Sequence, residues 1–198
     1  MSAIKELKKH LRPGQVYRRG DLSQFSNAVD RHLHQLVKDG VLQKLAGGLY
    51  YCPKQTSFGK APPDDQKLVR AFLKDEHFYI TSPNAYNSLG VGASQLYNER
   101  FVYNHKRDGR YVLNGRHFYF IKRARFPKKS SVEFLLVDLI NNLQFLAEDR
   151  EKLRENVKKK ALDMDKKKLM KMVSNYAGAR TKNFFEGVLH GVGVSHAH

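Results

Sequence analysis

The chain has 198 residues, of which 41% are hydrophobic, and a formal net charge of +17. This length suffices for one large domain or two small ones, and the excess of positive charge indicates a polyanionic partner such as DNA, RNA or an acidic membrane surface. No apolar run reaches the length of a membrane span, the charged N-terminus lacks the apolar core of a signal peptide, and a single cysteine excludes an internal disulfide, so we expect a cytoplasmic protein without a membrane partner.

The first predicted elements are a helix over residues 3–11, a short extended segment at Gln15-Val16-Tyr17 and a brief helix from Leu22 to Phe25. Arg12-Pro13-Gly14 separates the first two, because proline and glycine interrupt a helix. Asp21 can cap the brief helix. These elements precede a longer helix and a hairpin.

The longer helix is predicted to begin at Ser26, whose hydroxyl can accept an N–H of the first turn, and to end at Gly40. Two apolar runs follow, Val41–Leu45 and Leu49–Cys52, and the glycine turn Ala46-Gly47-Gly48 joins them into a hairpin. One face of the helix carries four apolar residues at helical spacing, which predicts that this face is buried: Val29, Leu33, Leu36 and Val37.

Helix, short strand, short helix, longer helix and hairpin follow one another in the order of a winged helix-turn-helix. The polar face of the longer helix can pair with base edges and phosphates in a major groove, although any surface helix has a solvated polar face. We expect Arg31, Gln35 and Asn27 to read base edges, and Lys38 and Lys44 to hold phosphates. The complete set of predicted DNA-binding residues is Ser26, Asn27, Arg31, His34, Gln35, Lys38, Lys44, Gly47, Gly48, Arg18 and Arg19.

A polar segment rich in proline and glycine, residues 54–65, is the predicted linker to a second domain. Asn114-Gly115, a strong signal for a two-residue hairpin turn, lies in a part of that domain that is rich in strand-forming residues and cations. The elements predicted beyond the linker are helices at 66–74 and 84–89, strands at 78–81, 101–104, 110–113 and 117–122, and helices at 131–148, 151–161, 165–177 and around 184–189.

The predicted fold class is therefore α+β. A winged helix-turn-helix (residues 1–56) precedes a helix-and-antiparallel-sheet domain that ends in helices (residues 64–190) and a frayed tail (residues 191–198). Residues 1–129 carry 24 of the 36 basic side chains but only 10 of the 19 acidic ones. We therefore expect residues 1–129 to meet nucleic acid and the C-terminal helices to contact protein.

Motifs of enzymes and metal sites are absent from the sequence. It contains no phosphate-binding loop, no His-Glu-x-x-His, no Gly-x-Ser-x-Gly and no paired-cysteine zinc site, and Cys52 is interpreted as a core residue. We expect neither catalysis nor a cofactor or metal. Aromatic residues interleaved with cations between His117 and Arg125 could stack the bases of a single strand, but a sheet with one apolar and one basic face explains them more simply.

Several short motifs occur in an order that is shared with a known family: Gly14-Gln15-Val16-Tyr17, Asp21-Leu22, Val29, Leu36-Val37-Lys38-Asp39-Gly40-Val41-Leu42, Leu45-Ala46-Gly47-Gly48-Leu49-Tyr50-Tyr51, Thr81-Ser82-Pro83-Asn84-Ala85 and Leu89-Gly90. On these motifs the chain resembles the AbiEi-type antitoxins of bacterial type IV toxin–antitoxin systems, including their relatives known only as domains of unknown function. The resemblance implies an autorepressor whose winged domain binds its own promoter. It also implies a C-terminal domain that neutralises a nucleotidyltransferase-like toxin.

We therefore predict a sequence-specific transcriptional repressor that binds double-stranded DNA, as a monomer or homodimer, and serves as the antitoxin of a toxin–antitoxin pair. One alternative is a winged RNA-binding or ribosome-associated protein, which would not prefer one palindromic duplex over structured RNA. A second alternative is a nucleic-acid-processing enzyme with the sheet domain as catalyst. That alternative lacks the clustered carboxylates that a metal-dependent nuclease needs.

Overall fold

The computed structural model describes residues 3–191, and within this range the chain forms eight α-helices and nine strands. The helices are α1 (Ala3–Lys9), α2 (Arg19–Leu22), α3 (Val29–Lys38), α4 (Asp65–Leu73), α5 (Val132–Asn141), α6 (Arg150–Leu162), α7 (Lys166–Tyr176) and α8 (Ala179–His190). The strands are β1 (Gln15–Arg18), β2 (Gln43–Ala46), β3 (Leu49–Cys52), β4 (Lys54–Thr56), β5 (Gly59–Ala61), β6 (Phe78–Thr81), β7 (Glu99–Asn104), β8 (Gly109–Leu113) and β9 (Arg116–Lys122). Short 3-10 helices occupy Ser23–Phe25, Pro83–Leu89 and Leu143–Phe145.

The mixture of helices and antiparallel strand pairs makes the fold α+β, as predicted. The predicted frayed tail lies, from residue 192 onward, outside the described residues.

The chain divides into two compact units. The first unit contains the chain up to Phe78 together with Lys106–Phe120, and the second contains Tyr79–His105 together with the chain from Ile121 onward. This division differs from the predicted domain boundaries, which placed the hairpin of β8 and β9 in the second domain. Long-range hydrogen bonds within the first unit account for the difference. The Asn114 N–H donates to the Leu45 carbonyl at 3.0 Å, and the Gln43 side chain donates to Asn114 Oδ1 at 3.0 Å.

The N-terminal part of the first unit is an antiparallel sheet in the order β1-β3-β2 with three helices around a shared core. The predicted apolar face of α3 is confirmed, because Val29, Leu33 and Leu36 are buried and the fourth residue, Val37, is half-buried against them. They join one hydrophobic cluster with residues from α1, the segment after it, α2, the strands and their connections: Leu7, Leu11, Leu22, Leu42 and Cys52. Burial of apolar surface in this cluster is the main stabilising contribution to this part of the chain.

The predicted linker is wrong for residues 54–61, which form the antiparallel hairpin of β4 and β5. The Tyr51 hydroxyl donates to the Ala61 carbonyl at 2.9 Å, and the Lys60 ammonium donates to the Gly40 carbonyl at 3.3 Å. Both strands are almost entirely exposed. Because neither face is buried, the sequence has no alternation of apolar and polar residues in this segment. The strand signal is therefore missing.

Helix α4 begins with a side-chain cap, because Asp64 accepts the Lys67 N–H at 3.1 Å. In the first unit its Phe72 ring packs against Tyr111 and Phe120, each with ring centroids 5.0 Å apart. The predicted turn at Asn114-Gly115 is confirmed, since both residues have positive φ angles, 50° and 71°. Asn and Gly adopt this conformation with less strain than other residues.

Helix α5 forms the core of the second unit and is apolar on almost every face, as a fully buried helix is. Ser131 caps it by accepting the Phe134 N–H at 3.1 Å. The helix is shorter than the predicted 131–148, because it ends at Asn141. Val132 is 52% exposed, since it occupies the first helical position, before the helix becomes enclosed.

Polar side chains at the end of α5 form a buried hydrogen-bond network in the second unit. Asp138 accepts hydrogen bonds from the hydroxyls of Tyr86 and Tyr103, each at 2.7 Å. Asn142 donates to both hydroxyls and accepts from the Arg123 guanidinium at 3.0 Å. Burial raises the pKa of Asp138, although the tyrosines and Arg123 oppose that shift. The network therefore satisfies a carboxyl group in the core and holds the Arg123 side chain in place.

Candidate nucleic-acid interface

The exposed face of α3 carries a stripe of four polar side chains, which we call the α3 stripe: Arg31, His34, Gln35 and Lys38. Spacings of three, four and seven residues place all four on one side of the helix, opposite the face that is buried in the core. Gln35 donates to Asp39 Oδ1 at 2.7 Å. Within residues 3–191, the side chains of Arg31, His34 and Lys38 form no hydrogen bond or ion pair, so they are available to an external partner.

Two arginines ahead of α3 are held in bidentate ion pairs. Arg18 binds Asp21 at 2.7 and 2.6 Å, and Arg19 binds Asp30 at the same two distances. Each guanidinium holds the pKa of its aspartate below the usual value. Both arginines were predicted to contact DNA, and the structure engages both within the chain.

Arg19 connects the start of α3 to the hairpin that follows it. Its guanidinium binds Asp30 in the first turn of α3, while its backbone N–H donates to the Gly48 carbonyl at 2.8 Å. The Asp30 carboxylate is the one acidic group in the first turn of α3. Arg19 therefore offsets the negative charge at the start of the α3 stripe, whereas the Asp39 carboxylate at the other end accepts from Gln35.

The predicted cap at Ser26 is wrong, because α3 begins at Val29 and its capping residue is Ala28, which has no side-chain cap. Ser26 is buried, with its hydroxyl 2.7 Å from His32 Nδ1 and accepting the Ala28 N–H at 3.2 Å. A turn over Ser26–Ala28 thus uses the hydroxyl before the helix begins. The Ser26 side chain shapes the entry to α3 and is not presented to a ligand, whereas Asn27 is exposed.

The hairpin of β2 and β3 carries the other predicted site residues. Lys44 is exposed and lies opposite Tyr50, and the register shifts between Lys44 and Ala46. Gly48 has a φ of 71°, which side chains other than glycine adopt with strain. No side chain projects from Gly47 or Gly48, so the backbone of this turn can come close to a phosphate.

The structure also brings together cations that the sequence prediction did not combine. A groove in the first unit runs beside the glycine turn, and we call it the glycine-turn groove. Its cationic lining comes from Arg18, Arg19, Lys74 and Arg107. The guanidinium of Arg107 lies 4.5 Å from the centroid of the Phe72 ring, a cation–π distance. Arg107 belongs to a segment that is rich in cations, but nothing in the sequence predicts that it lies beside residues 47 and 48.

No group of three or more His, Cys, Asp or Glu side chains in the described part of the chain is arranged to hold a metal ion. Cys52 is buried, and burial raises the pKa of its thiol, which disfavours the reactive thiolate. None of the helices within residues 3–191 is long and apolar enough to cross a membrane.

No protein-family model matches the chain, and no curated protein and no solved structure is significantly similar to it. The resemblance to the AbiEi-type antitoxins therefore stays a prediction.

Proposed function

We propose that the first unit contains a winged helix-turn-helix and that the protein binds double-stranded DNA in a sequence-specific way. In this proposal α3 is the recognition helix, and the hairpin of β2 and β3 is the wing. The α3 stripe is the observation that carries the proposal, because it places cationic and amide side chains together on one exposed face. Their chemistry matches the acceptors and donors of base edges in a major groove.

The dimensions of α3 fit this role. A rise of about 1.5 Å per residue places Arg31 and Lys38 about 10 Å apart along the axis, which corresponds to about three base pairs at roughly 3.4 Å each. Arg31 can donate two hydrogen bonds to a guanine, and Gln35 can pair with an adenine. To reach a base, Gln35 gives up its hydrogen bond to the exposed Asp39, which costs little in a site open to water.

In this proposal the glycine-turn groove supplies the contacts that do not depend on the DNA sequence. Lys74 and Arg107, together with Lys44 on β2, can hold phosphates next to the glycine turn. Charge contacts of this kind contribute most of the affinity for any duplex and make that affinity depend on salt. The α3 stripe would then determine which duplex is preferred.

The biological role that we propose is repression of the protein's own promoter in the cytoplasm, without catalysis or a cofactor. The motif order shared with AbiEi-type antitoxins supports a role as the antitoxin of a nucleotidyltransferase-like toxin. Under this proposal, the helices of the second unit contact that toxin. Binding as a monomer recognises one site, whereas a homodimer requires two half-sites about one helical turn apart.

A competition experiment tests the DNA-binding proposal. A labelled duplex of the protein's own promoter is titrated with the full chain, and fluorescence anisotropy follows displacement by unlabelled promoter, scrambled duplex and an RNA hairpin of matched length. We expect the promoter to compete best by at least about 100-fold, because specific sites are typically 10³-fold or more tighter than nonspecific ones. Equal or better competition by the RNA hairpin would replace this proposal with the RNA-binding alternative.

A further inference from the structure

A second basic site lies in the second unit, in a cavity of about 470 Å³ whose lining comes in part from α5, α6 and the start of α8. We call it the arginine cavity. Glu151 is the one carboxylate in its lining. Four arginines line the cavity as well: Arg123, Arg150, Arg154 and Arg180. The lining therefore carries a formal net charge of +3. Arg150 and Arg154 lie four residues apart on α6, an unfavourable placement for like charges unless an anion lies between them.

Three of the four arginines, Arg123, Arg150 and Arg154, are held by contacts with uncharged groups. Arg123 donates to Asn142 Oδ1 at 3.0 Å and lies 5.2 Å from the Tyr103 ring centroid. Arg154 lies 5.0 Å from the Phe184 ring centroid, and Arg150 donates to the Gln144 carbonyl at 3.2 Å. No carboxylate within residues 3–191 forms a salt bridge with Arg123, Arg150, Arg154 or Arg180. Guanidinium groups restrained in this way lose little freedom when they bind an anion.

The start of α8 adds backbone donors to the cavity. Its capping residue is Gly178, which has no side chain to accept an N–H of the first turn. Gly178, Ala179, Arg180 and Thr181 all line the cavity. The first N–H groups of a helix have no partner within the helix, and together with the helix dipole they favour an anion at this end.

Thr181 provides an independent indication of a ligand. Its side chain is 3% exposed and lines the cavity. Its hydroxyl forms no hydrogen bond with any residue of the described part of the chain. Among the fully enclosed side-chain polar atoms there, only Asn87 Oδ1 lacks a partner, so the Thr181 hydroxyl is open to the cavity that this residue lines. A ligand oxygen in the cavity would satisfy this hydroxyl.

We propose that the arginine cavity binds a small phosphate-bearing anion. The phosphate accepts N–H groups at the start of α8, the Thr181 hydroxyl and the guanidinium groups of Arg154 and Arg180. Planar guanidinium groups match the oxygens of a phosphate in two-point hydrogen bonds. The cavity is larger than one phosphate ion and contains no aromatic side chain in its lining. Recognition is therefore directed at the phosphate, which comes either from inorganic phosphate or from a mononucleotide.

The test is isothermal titration calorimetry of the full chain with inorganic phosphate and with adenosine monophosphate, each at constant ionic strength. Arg180→Gln, Arg154→Gln and Thr181→Val remove the proposed contacts singly, and Arg125→Gln is the charge-matched control, because Arg125 is exposed and does not line the cavity. Circular dichroism establishes that each variant is folded. Thr181→Val is nearly isosteric, which keeps the test valid if an arginine variant fails to fold.

We expect saturable binding of at least one of the two probes, a loss of affinity of about 10- to 100-fold in each arginine variant, a smaller loss in Thr181→Val, and no change in Arg125→Gln. Tighter binding of inorganic phosphate would assign the free ion, and tighter binding of adenosine monophosphate a phosphomonoester. Absence of binding by both probes would overturn the proposal. Equal losses in Arg125→Gln and Arg180→Gln would overturn it too, because they would reveal a nonspecific effect of net charge.

Discussion

Replacement of Leu33 by alanine tests the arrangement that holds α3 in place. Leu33 is 0% exposed at the centre of the cluster formed by α1, α2, α3 and the sheet. The substitution removes three carbon atoms, worth about 2.4 kcal/mol at roughly 0.8 kcal/mol each. If the helices leave roughly 50 Å³ unfilled, the cavity adds about 1 kcal/mol. We therefore expect the free energy of unfolding to fall by about 3–4 kcal/mol.

Urea unfolding followed by far-ultraviolet circular dichroism measures this effect, since the chain contains no tryptophan for a fluorescence assay. Leu162→Ala is the matched control, because Leu162 is 51% exposed on α6 and should change stability by less than about 0.5 kcal/mol. Only the transition of the first unit should move in Leu33→Ala. Equal stability of Leu33→Ala and the unmodified chain would show that the packing of α3 against α1 and α2 is wrong.

Three further predictions concern charge. Lys44→Ala should weaken binding to all duplexes alike and lower the slope of log affinity against log salt by about one unit, because it removes one proposed phosphate contact. A change of preference among duplexes would contradict this role. Arg19→Ala should lower the affinity for the promoter duplex, because it leaves the Asp30 charge beside the DNA. The double variant Arg19→Ala/Asp30→Asn should recover part of the affinity in the same anisotropy assay. An unchanged affinity in the double variant would refute the idea that Arg19 offsets the charge of Asp30. The raised pKa of Asp138 means that the folded state binds the proton of this carboxyl group more tightly than the unfolded state does. The protonated group therefore contributes its whole stabilising effect below its ordinary pKa of 3.8. This contribution to the free energy of unfolding is lost as the pH rises through the folded-state pKa. Urea unfolding of Asp138→Asn across that pH range should lack this loss, and parallel curves for the variant and the unmodified chain would contradict the assignment.

Local signals predicted much of the first unit. The spacing of Val29, Leu33 and Leu36 correctly gave the buried face of α3, and Asn114-Gly115 correctly gave a turn, because both patterns depend on neighbours within a few residues. Ser26 misled the prediction because its hydroxyl could cap a helix, but a turn before α3 and contact with His32 use it instead. Such competition between local partners is common for serine.

Features that depend on residues far apart in the chain could not be predicted from the sequence. The hairpin of β4 and β5 is held in part by the hydrogen bond from Tyr51 to Ala61, and its own residues are too polar to indicate a strand. The ion pair of Arg19 and Asp30 joins residues eleven positions apart. Arg107 and its ring partner Phe72 both line the glycine-turn groove, although they lie far apart in the sequence. The sequence therefore predicted the exposed residues of α3 but not the charges arranged around them.

The central claim is that Arg31 on α3 reads a base. The most direct measurement uses sets of four promoter duplexes, one set for each position of the site, whose members differ only at that base pair. The affinity of the full chain for each duplex is measured in parallel with Arg31→Ala and the exposed control Arg125→Ala. At one position of the site, we predict that the unmodified chain and Arg125→Ala prefer one base pair by about 5- to 150-fold, equivalent to about 1–3 kcal/mol. At that position Arg31→Ala should bind all four duplexes equally. Unchanged discrimination at every position by Arg31→Ala would contradict the assignment of α3 as the recognition helix.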